Sequence, residues 1–356
     1  LIEEWNAADR KIILVGQCKP DSLLTSALTA LAVDGSVVVM TETTSNVHVS
    51  SQVSCIDRTI EGIAEQFDKY QPDLLLTLGG EIVSKKIKNL FRANRPTAHW
   101  HVDIEGKVLD TYQSLTQVIP SEPIPFLEKL VSLAEPKWTA PYASHWHKIN
   151  REKSVRHLDY YNHCEWSDFK VMGQVLSYLP AHSNLHLANS TPIRYHQLFN
   201  QRFDIDSYCN RGTSGIDGST STAAGMAYAS DKITTIITGD TSFFYDSNAL
   251  WIKNLPANLR IILINNGGGN IFKIIPGPDS TNQLEEYFEA AHQHTAEGLT
   301  KTFDLPYQSC DNGEDLEKVL STFFEKEYEA APILEIHTPR DRNDQVLKDY
   351  FKVMGD

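Results

Sequence analysis

Short apolar runs, each followed within a few residues by a helical pattern, recur along almost the whole chain, and that alternation restricts what it can fold into. The first part reads as strands at residues 12–15, 36–40, 73–79 and 97–103, with helical patterns at 21–32, 61–69 and 82–92 between them. Asp21 is the expected N-cap of the first helix. Strands that are apolar throughout are buried on both faces, so they belong to parallel sheets covered by helices. Residues 1–135 are therefore expected to form a central Rossmann-like domain. Pro120, Pro123, Pro125, Pro136 and Pro141 form a cluster that suits a surface linker, placed at 136–150. Residues 151–356 then repeat the alternation. Helical patterns lie at 142–161, 168–178, from about 191, and at 219–229, 284–294 and 315–328. Strands lie at 185–188, 205–209, 233–238, 260–264 and 332–337. The expected fold class is α/β, with two Rossmann-like domains whose parallel sheets are flanked by helices.

At 356 residues the chain is too long for one typical core, which agrees with two domains. A formal net charge of −14 argues against a nucleic-acid surface, where phosphate contacts need clustered Lys and Arg. No apolar run approaches a membrane span, and no signal-peptide pattern opens the chain, so a cytoplasmic protein without membrane partners is expected. The five cysteines are scattered without Cys-x-x-Cys spacing and are expected to be reduced. The sequence opens at Leu1 with a strand beginning almost at once, the pattern expected of a fragment of something longer.

In an open parallel sheet, ligands sit beyond the carboxyl ends of the strands. Asn189-Ser190, Asn210-Arg211, Gly239-Asp240 and Asn265-Asn266 all fall at such ends. Gly-Asp and Asn-Gly are ordinary turn signals when taken singly. Together, Gly239-Asp240-Thr241-Ser242 and Asn265-Asn266-Gly267-Gly268-Gly269-Asn270 bring a carboxylate, an amide oxygen and unhindered glycine backbone to one place. Hard oxygens suit Mg²⁺ or Mn²⁺, and free backbone N–H groups suit an anion, so the pair points to a metal-bound diphosphate. The first domain has no Gly-x-Gly-x-x-Gly after its first strand, so it is read as structural, with Gly79-Gly80 as a strand-to-helix turn. His99-x-His101 and His145-x-His147 lack a third ligand at zinc-type spacing.

The Gly-Asp and Asn-Asn pair resembles the thiamine diphosphate signature, with Thr241 where the general pattern has a third glycine. A longer series runs in one order: Asn189-Ser190-x-x-x-Arg194, then Asn210-Arg211-Gly212-x-Ser214-Gly215-Ile216-Asp217-Gly218, then Asn265-Asn266-x-Gly268-Gly269-x-Ile271-Phe272. This series resembles the 2-succinyl-5-enolpyruvyl-6-hydroxy-3-cyclohexene-1-carboxylate synthases of menaquinone biosynthesis, over the whole chain but as central and C-terminal domains alone. The resemblance implies a thiamine-diphosphate-binding fold for the second domain. It implies that Asp240, Asn266 and the Gly268 carbonyl hold Mg²⁺ or Mn²⁺. Ser214, Gly215, Gly239, Thr241, Ser242, Gly268, Gly269 and Asn270 would line the cofactor, with Ile216 as the apolar wedge that bends it. Ser190, Arg194, Arg211 and, by a weaker match, Lys85 would meet the carboxylates of the substrates. Ile271 and Phe272 would wall off water.

The implied reaction is a transfer: 2-oxoglutarate loses carbon dioxide and the remaining unit is added to isochorismate. The implied assembly is a homodimer or dimer of dimers. Enzymes of this type also use a glutamate from an N-terminal pyrimidine-binding domain, which these 356 residues do not contain, so the fragment alone is expected to be inactive. Two other readings stay open at this level, namely another thiamine-diphosphate decarboxylase or acetohydroxyacid synthase, and a non-catalytic domain pair.

Overall fold

The computed structural model describes residues 1–274, Gly277 and 280–356. The chain divides into two compact units, Leu1–Leu158 with Val353–Asp356, and Asp159–Lys352. Each is an α/β unit built on one sheet whose strands all pair in parallel.

The first unit contains β1 (Lys11–Val15), β2 (Val37–Thr41), β3 (Leu74–Leu78), β4 (Ala98–Val102) and β5 (Gln117–Ile119), in the order β2-β1-β3-β4-β5. Every residue of the first four strands is buried, the polar Lys11, Thr41, Thr77, His99 and His101 along with the apolar majority. Side chains alternate between the two faces, so Ile13 and Val15 join one core cluster with Trp5 and Trp100, while Ile12 and Leu14 join another with Phe91 and Trp146. Burying each such aliphatic side chain contributes about 1.5–3 kcal/mol.

The order of this sheet reverses between β1 and β3, where a ligand crevice would be expected. At the junction itself backbone meets backbone, while a cavity lined by Leu14, Leu78, Gly79, Gly80, His101 and Tyr112 opens beside it. Gly80 N–H donates to the Gln17 carbonyl at 2.8 Å, and a Cβ on Gly16 would lie 2.0 Å from the Gly80 carbonyl oxygen. Gly16 is thus required for close approach. His99 and His101 both bond to the Thr77 hydroxyl, at 3.0 and 2.9 Å, and burial holds both imidazoles below their ordinary value. They are packing residues of the sheet. After β2, the buried Glu42 carboxylate accepts the N–H groups of Val83 and Ser84 at 2.5 and 2.7 Å and so fixes the turn before the helix Lys85–Ala93. Burial, opposed by those two donors, pushes Glu42 up to about 7.

The second unit contains β6 (Asn184–Leu187), β7 (Asp206–Cys209), β8 (Thr234–Gly239), β9 (Leu259–Asn265), β10 (Tyr307–Cys310) and β11 (Ile333–His337). Their order is β10-β11-β9-β8-β6-β7. The chain leaves β6 toward β7 and resumes on the other side with β8, so the switch point lies between β6 and β8. One face is covered by the small-residue helix Ser219–Tyr228, whose Ala223, Ala224 and Ala227 pack with Ile236, Leu259 and Ile261. An aromatic group centred on Phe169, with Tyr195, Phe199 and Tyr350, also packs in this unit.

Three expected elements differ from those observed. The helix expected at 61–69 is a 3₁₀ segment, Ala64–Lys69, with Gln66 outside helical geometry. The helix expected at 284–294 is a single π-type turn, Leu284–Phe288, after which Ala290 takes φ +48° and ends any helical path. Within the proline cluster, residues 123–133 form the helix Pro123–Leu133. Pro123 is tolerated in its first turn, where no N–H bond is needed, and Leu127 and Leu130 are buried. The interval 136–150 contains the start of the helix Tyr142–His163. Among the described residues no helix is long and apolar enough to cross a membrane.

Candidate active site

The carboxyl ends of β6, β8 and β9 open into one cleft. Its walls include Ser190, Ile216, Gly239, Asp240, Thr241, Ser242, Asn266, Gly268, Gly269, Asn270, Ile271 and Phe272, which sequence reasoning had assigned to one site. Asp240 follows β8 directly and begins the short helix Asp240–Tyr245. Its Oδ2 accepts the backbone N–H groups of Asn266, Gly267 and Gly268 at 3.1, 2.8 and 3.0 Å. Its Oδ1 accepts the N–H of Thr241 at 2.5 Å. One carboxylate therefore ties the end of β8 to the loop after β9. Gly267 and Gly268 make that loop possible, with φ of +76° and +146°.

Asn266 is buried, and its Nδ2 donates to Asp168 Oδ2 at 2.8 Å. Among the described residues its Oδ1 is buried without a hydrogen-bond partner, as is Oδ1 of Asn270. An orphaned buried acceptor costs about 1–3 kcal/mol, and these two line the cleft. The Gly268 carbonyl accepts the Asn270 N–H at 3.0 Å. Among the described residues nothing lies within 4 Å of where a Cβ on Gly239 would sit, which leaves room for a ligand against the backbone there. The chemistry of this donor set, one carboxylate, one amide oxygen and one peptide oxygen, suits a hard divalent cation. Among the described residues no group of three or more His, Cys, Asp and Glu is arranged to hold a metal ion, and this mixed set is of a different kind.

Arg211 and Gly215 are positioned by Asn189. Its Nδ2 donates to the carbonyls of Asn210 and Gly215 at 2.5 and 2.8 Å, and its Oδ1 accepts from Arg211 Nη1 at 2.7 Å. Asn189 thereby joins the end of β6 to the end of β7 and to the loop holding Ser214, Gly215 and Ile216. The Ser242 hydroxyl donates to the Ile216 carbonyl, fixing that residue from the β8 side. Ser190 takes φ +76°, a strained geometry for a residue with a side chain, just before the helix Thr191–His196 that carries Arg194. Arg211 is half-buried, with Nε buried and without a partner among the described residues. Lys85 lies in the first unit, exposed at the start of Lys85–Ala93.

Sequence reasoning missed several neighbours. Asp168 is buried, and burial pushes its carboxyl up to about 6 against hydrogen bonds from Thr338 and Asn266. The Glu289 carbonyl accepts the Gly269 N–H at 2.6 Å, while its buried carboxylate pairs with Lys273 at 2.7 Å and Arg340 at 2.8 Å. Phe288 stacks obliquely on Phe272, with ring centroids 5.6 Å apart. His292 stands 3.5 Å from Asp240, whose side chain, as hydrogen-bond acceptor and then as charge, raises the imidazole above its ordinary value against burial.

A family profile described as the middle domain of thiamine pyrophosphate matches residues 2–187, just over half of the chain. The chain belongs to the thiamine pyrophosphate family. That membership supports thiamine pyrophosphate, also called thiamine diphosphate, as the cofactor. Among relatives of this thiamine pyrophosphate chain, a 2-succinyl-5-enolpyruvyl-6-hydroxy-3-cyclohexene-1-carboxylate synthase of Flavobacterium psychrophilum is 44% identical over 357 aligned residues. The alignment covers 99% of the chain and 63% of the relative. Proteins of the same name from Christiangramia forsetii and Bacteroides thetaiotaomicron are 42% and 38% identical, over 99% of the chain and 61% and 62% of their own lengths. The chain thus spans about three-fifths of the length of the curated relatives it matches.

Proposed function

We propose that these residues are the central and diphosphate-binding part of a transferase that makes 2-succinyl-5-enolpyruvyl-6-hydroxy-3-cyclohexene-1-carboxylate from 2-oxoglutarate and isochorismate. The observation that carries this reading is the buried, unpartnered Asn266 Oδ1 beside Asp240, in a cleft open over Gly239. The names of the relatives supply the product. Thiamine diphosphate, when bound, supplies the electron sink that lets a 2-oxo acid lose carbon dioxide.

In this reading Asp240, Asn266 and the Gly268 carbonyl hold Mg²⁺ or Mn²⁺ on the diphosphate. Thr241, Ser242, Gly269 and Asn270 hold its oxygens, and Gly239 lets it approach the backbone. Ser214 and Gly215 belong to the loop that presents Ile216, which lines the cleft and would be the apolar wedge against the cofactor. Ile271 and Phe272 keep water from the reacting carbon. Arg211 and Arg194 bind substrate carboxylates by paired N–H donors and Ser190 adds a hydroxyl; Lys85 is the weaker candidate for a substrate carboxylate. The working form is a cytoplasmic homodimer, or dimer of dimers, and the 356 residues alone do not turn over substrate.

Replacing Arg211 with Ala in the full-length protein tests the reading. Loss of a charge-assisted contact worth about 1.5–3 kcal/mol lowers kcat/KM for a carboxylate substrate by about 10- to 100-fold, through KM. Unchanged kcat/KM for both 2-oxoglutarate and isochorismate contradicts the assignment.

A further inference from the structure

An amide side chain is nearly symmetric in shape, so which end of it faces a cleft is decided by what holds the other end. For Asn266 that partner is Asp168, 98 residues earlier in the chain. Asp168 opens the helix Asp168–Tyr178, where an acidic residue commonly faces solvent and complements the helix terminus. Here it is 1% exposed. Oδ1 accepts the Thr338 hydroxyl at 2.6 Å, from just beyond β11, and Oδ2 accepts Asn266 Nδ2 at 2.8 Å, from just beyond β9. The Asp168 N–H donates to Asn343 Oδ1 at 2.8 Å, which fixes the carboxylate from the backbone side.

Thr338 has one hydroxyl proton, and it is committed to Oδ1. An ionised carboxylate only accepts, so Oδ2 requires a donor. Turning Asn266 over would set its oxygen against that carboxylate oxygen. We propose that Asp168 is the positioning residue that forces the Asn266 amide to present Oδ1, not Nδ2, to the cofactor cleft. The unpartnered Asn266 Oδ1 is the other half of the same arrangement. This inference rests on the reading of Asn266 as a cation ligand. Mutating outer partners of this kind typically costs about 10- to 100-fold in metal affinity.

Asp168→Asn keeps size and shape but reverses the logic. With Thr338 still donating to one end, the new amide directs its NH₂ toward Asn266 and favours the turned-over Asn266. The test is Mn²⁺ binding to the full-length protein with thiamine diphosphate, followed by electron paramagnetic resonance of free Mn²⁺, for Asp168→Asn, Asn266→Ala, the double variant and Thr338→Val. Asp168→Asn is expected to weaken Mn²⁺ binding by about 10- to 100-fold. The double variant should bind no worse than Asn266→Ala, because both changes remove one oxygen. Thr338→Val disturbs the same network without turning Asn266, so it should stay within about threefold of the unchanged protein.

Asp168→Asn binding Mn²⁺ normally while Asn266→Ala loses it overturns the proposal and leaves the cation reading intact. Normal binding by Asn266→Ala removes the cation reading and the proposal together. Equal loss in Thr338→Val and Asp168→Asn assigns Asp168 a merely structural role and also overturns the proposal. Should Asp168→Asn not fold, the unaltered protein gives the answer by NMR. The Asn266 side-chain NH₂ should exchange slowly with solvent both with and without Mg²⁺ and thiamine diphosphate, since Asp168 holds it. Fast exchange in either state contradicts the proposal.

Discussion

Asp240→Ala is expected to abolish metal-dependent binding of thiamine diphosphate and to destabilise the second unit as well. The first effect follows from losing the one carboxylate of the proposed cation set. The second follows because Asp240 Oδ2 is the acceptor for the N–H groups of Asn266, Gly267 and Gly268, of which Asn266 and Gly268 lie in buried hydrogen bonds. Leaving a buried donor unsatisfied costs about 1–3 kcal/mol, so a total loss of roughly 3 kcal/mol is expected. Asp240→Asn should be little better, since its amide sets a donor against the same N–H groups in one orientation. Calorimetric titration and denaturant unfolding measure the two effects. Cofactor affinity within tenfold of the unchanged protein, or an unchanged unfolding midpoint, contradicts this account of Asp240.

Gly16→Ala should be the most damaging small change in the first unit. The added Cβ would lie 2.0 Å from the Gly80 carbonyl oxygen and 2.9 Å from its carbon, and both are backbone atoms that no rotamer change can move. Accommodating it means separating the ends of β1 and β3, which are held by the Gly16 N–H to Leu78 carbonyl bond at 2.8 Å and the Gly80 to Gln17 bond. Overpacking of this kind costs about 3 kcal/mol. Denaturant unfolding followed by a probe in the first unit checks it. A shift below roughly 0.5 kcal/mol, the range of ordinary surface changes, shows that the β1–β3 junction has more freedom than the geometry implies.

The strands buried on both faces were legible because apolar residues predominate in them. β1 to β4, β8, β9 and β11 were found within a residue or two. β5 and β10 were not, because edge strands need few apolar residues. Gln117 is exposed, and Tyr307, Gln308 and Ser309 are not buried. Local capping was readable too: Asp21 accepts the N–H groups of Leu23 and Leu24 as an N-cap should. The prolines misled because a first helical turn tolerates them as well as a linker does. The turn at Leu284–Phe288 misled because its apolar spacing is helical, whereas the chain instead bends at Ala290 and lays the Glu289 carbonyl on Gly269.

In the site, the strand-end motifs came together because strand ends are where an α/β sheet gathers ligands. Asn189 was visible as part of a motif but not as the residue that joins β6 to the ends of its neighbours. Asp168 was invisible, since its partners Asn266 and Thr338 lie 98 and 170 residues away and only the folded sheet makes them neighbours. A sequence pattern can name the atoms that meet a ligand. It does not say what turns them toward it.

The central claim is that the cleft beyond β6, β8 and β9 holds thiamine diphosphate through a divalent cation. Isothermal titration of thiamine diphosphate into the full-length protein, once with Mg²⁺ and once with EDTA, tests it most directly. The account predicts saturable binding with Mg²⁺ and loss of most of that affinity in EDTA. Equal binding in both, or none in either, contradicts it.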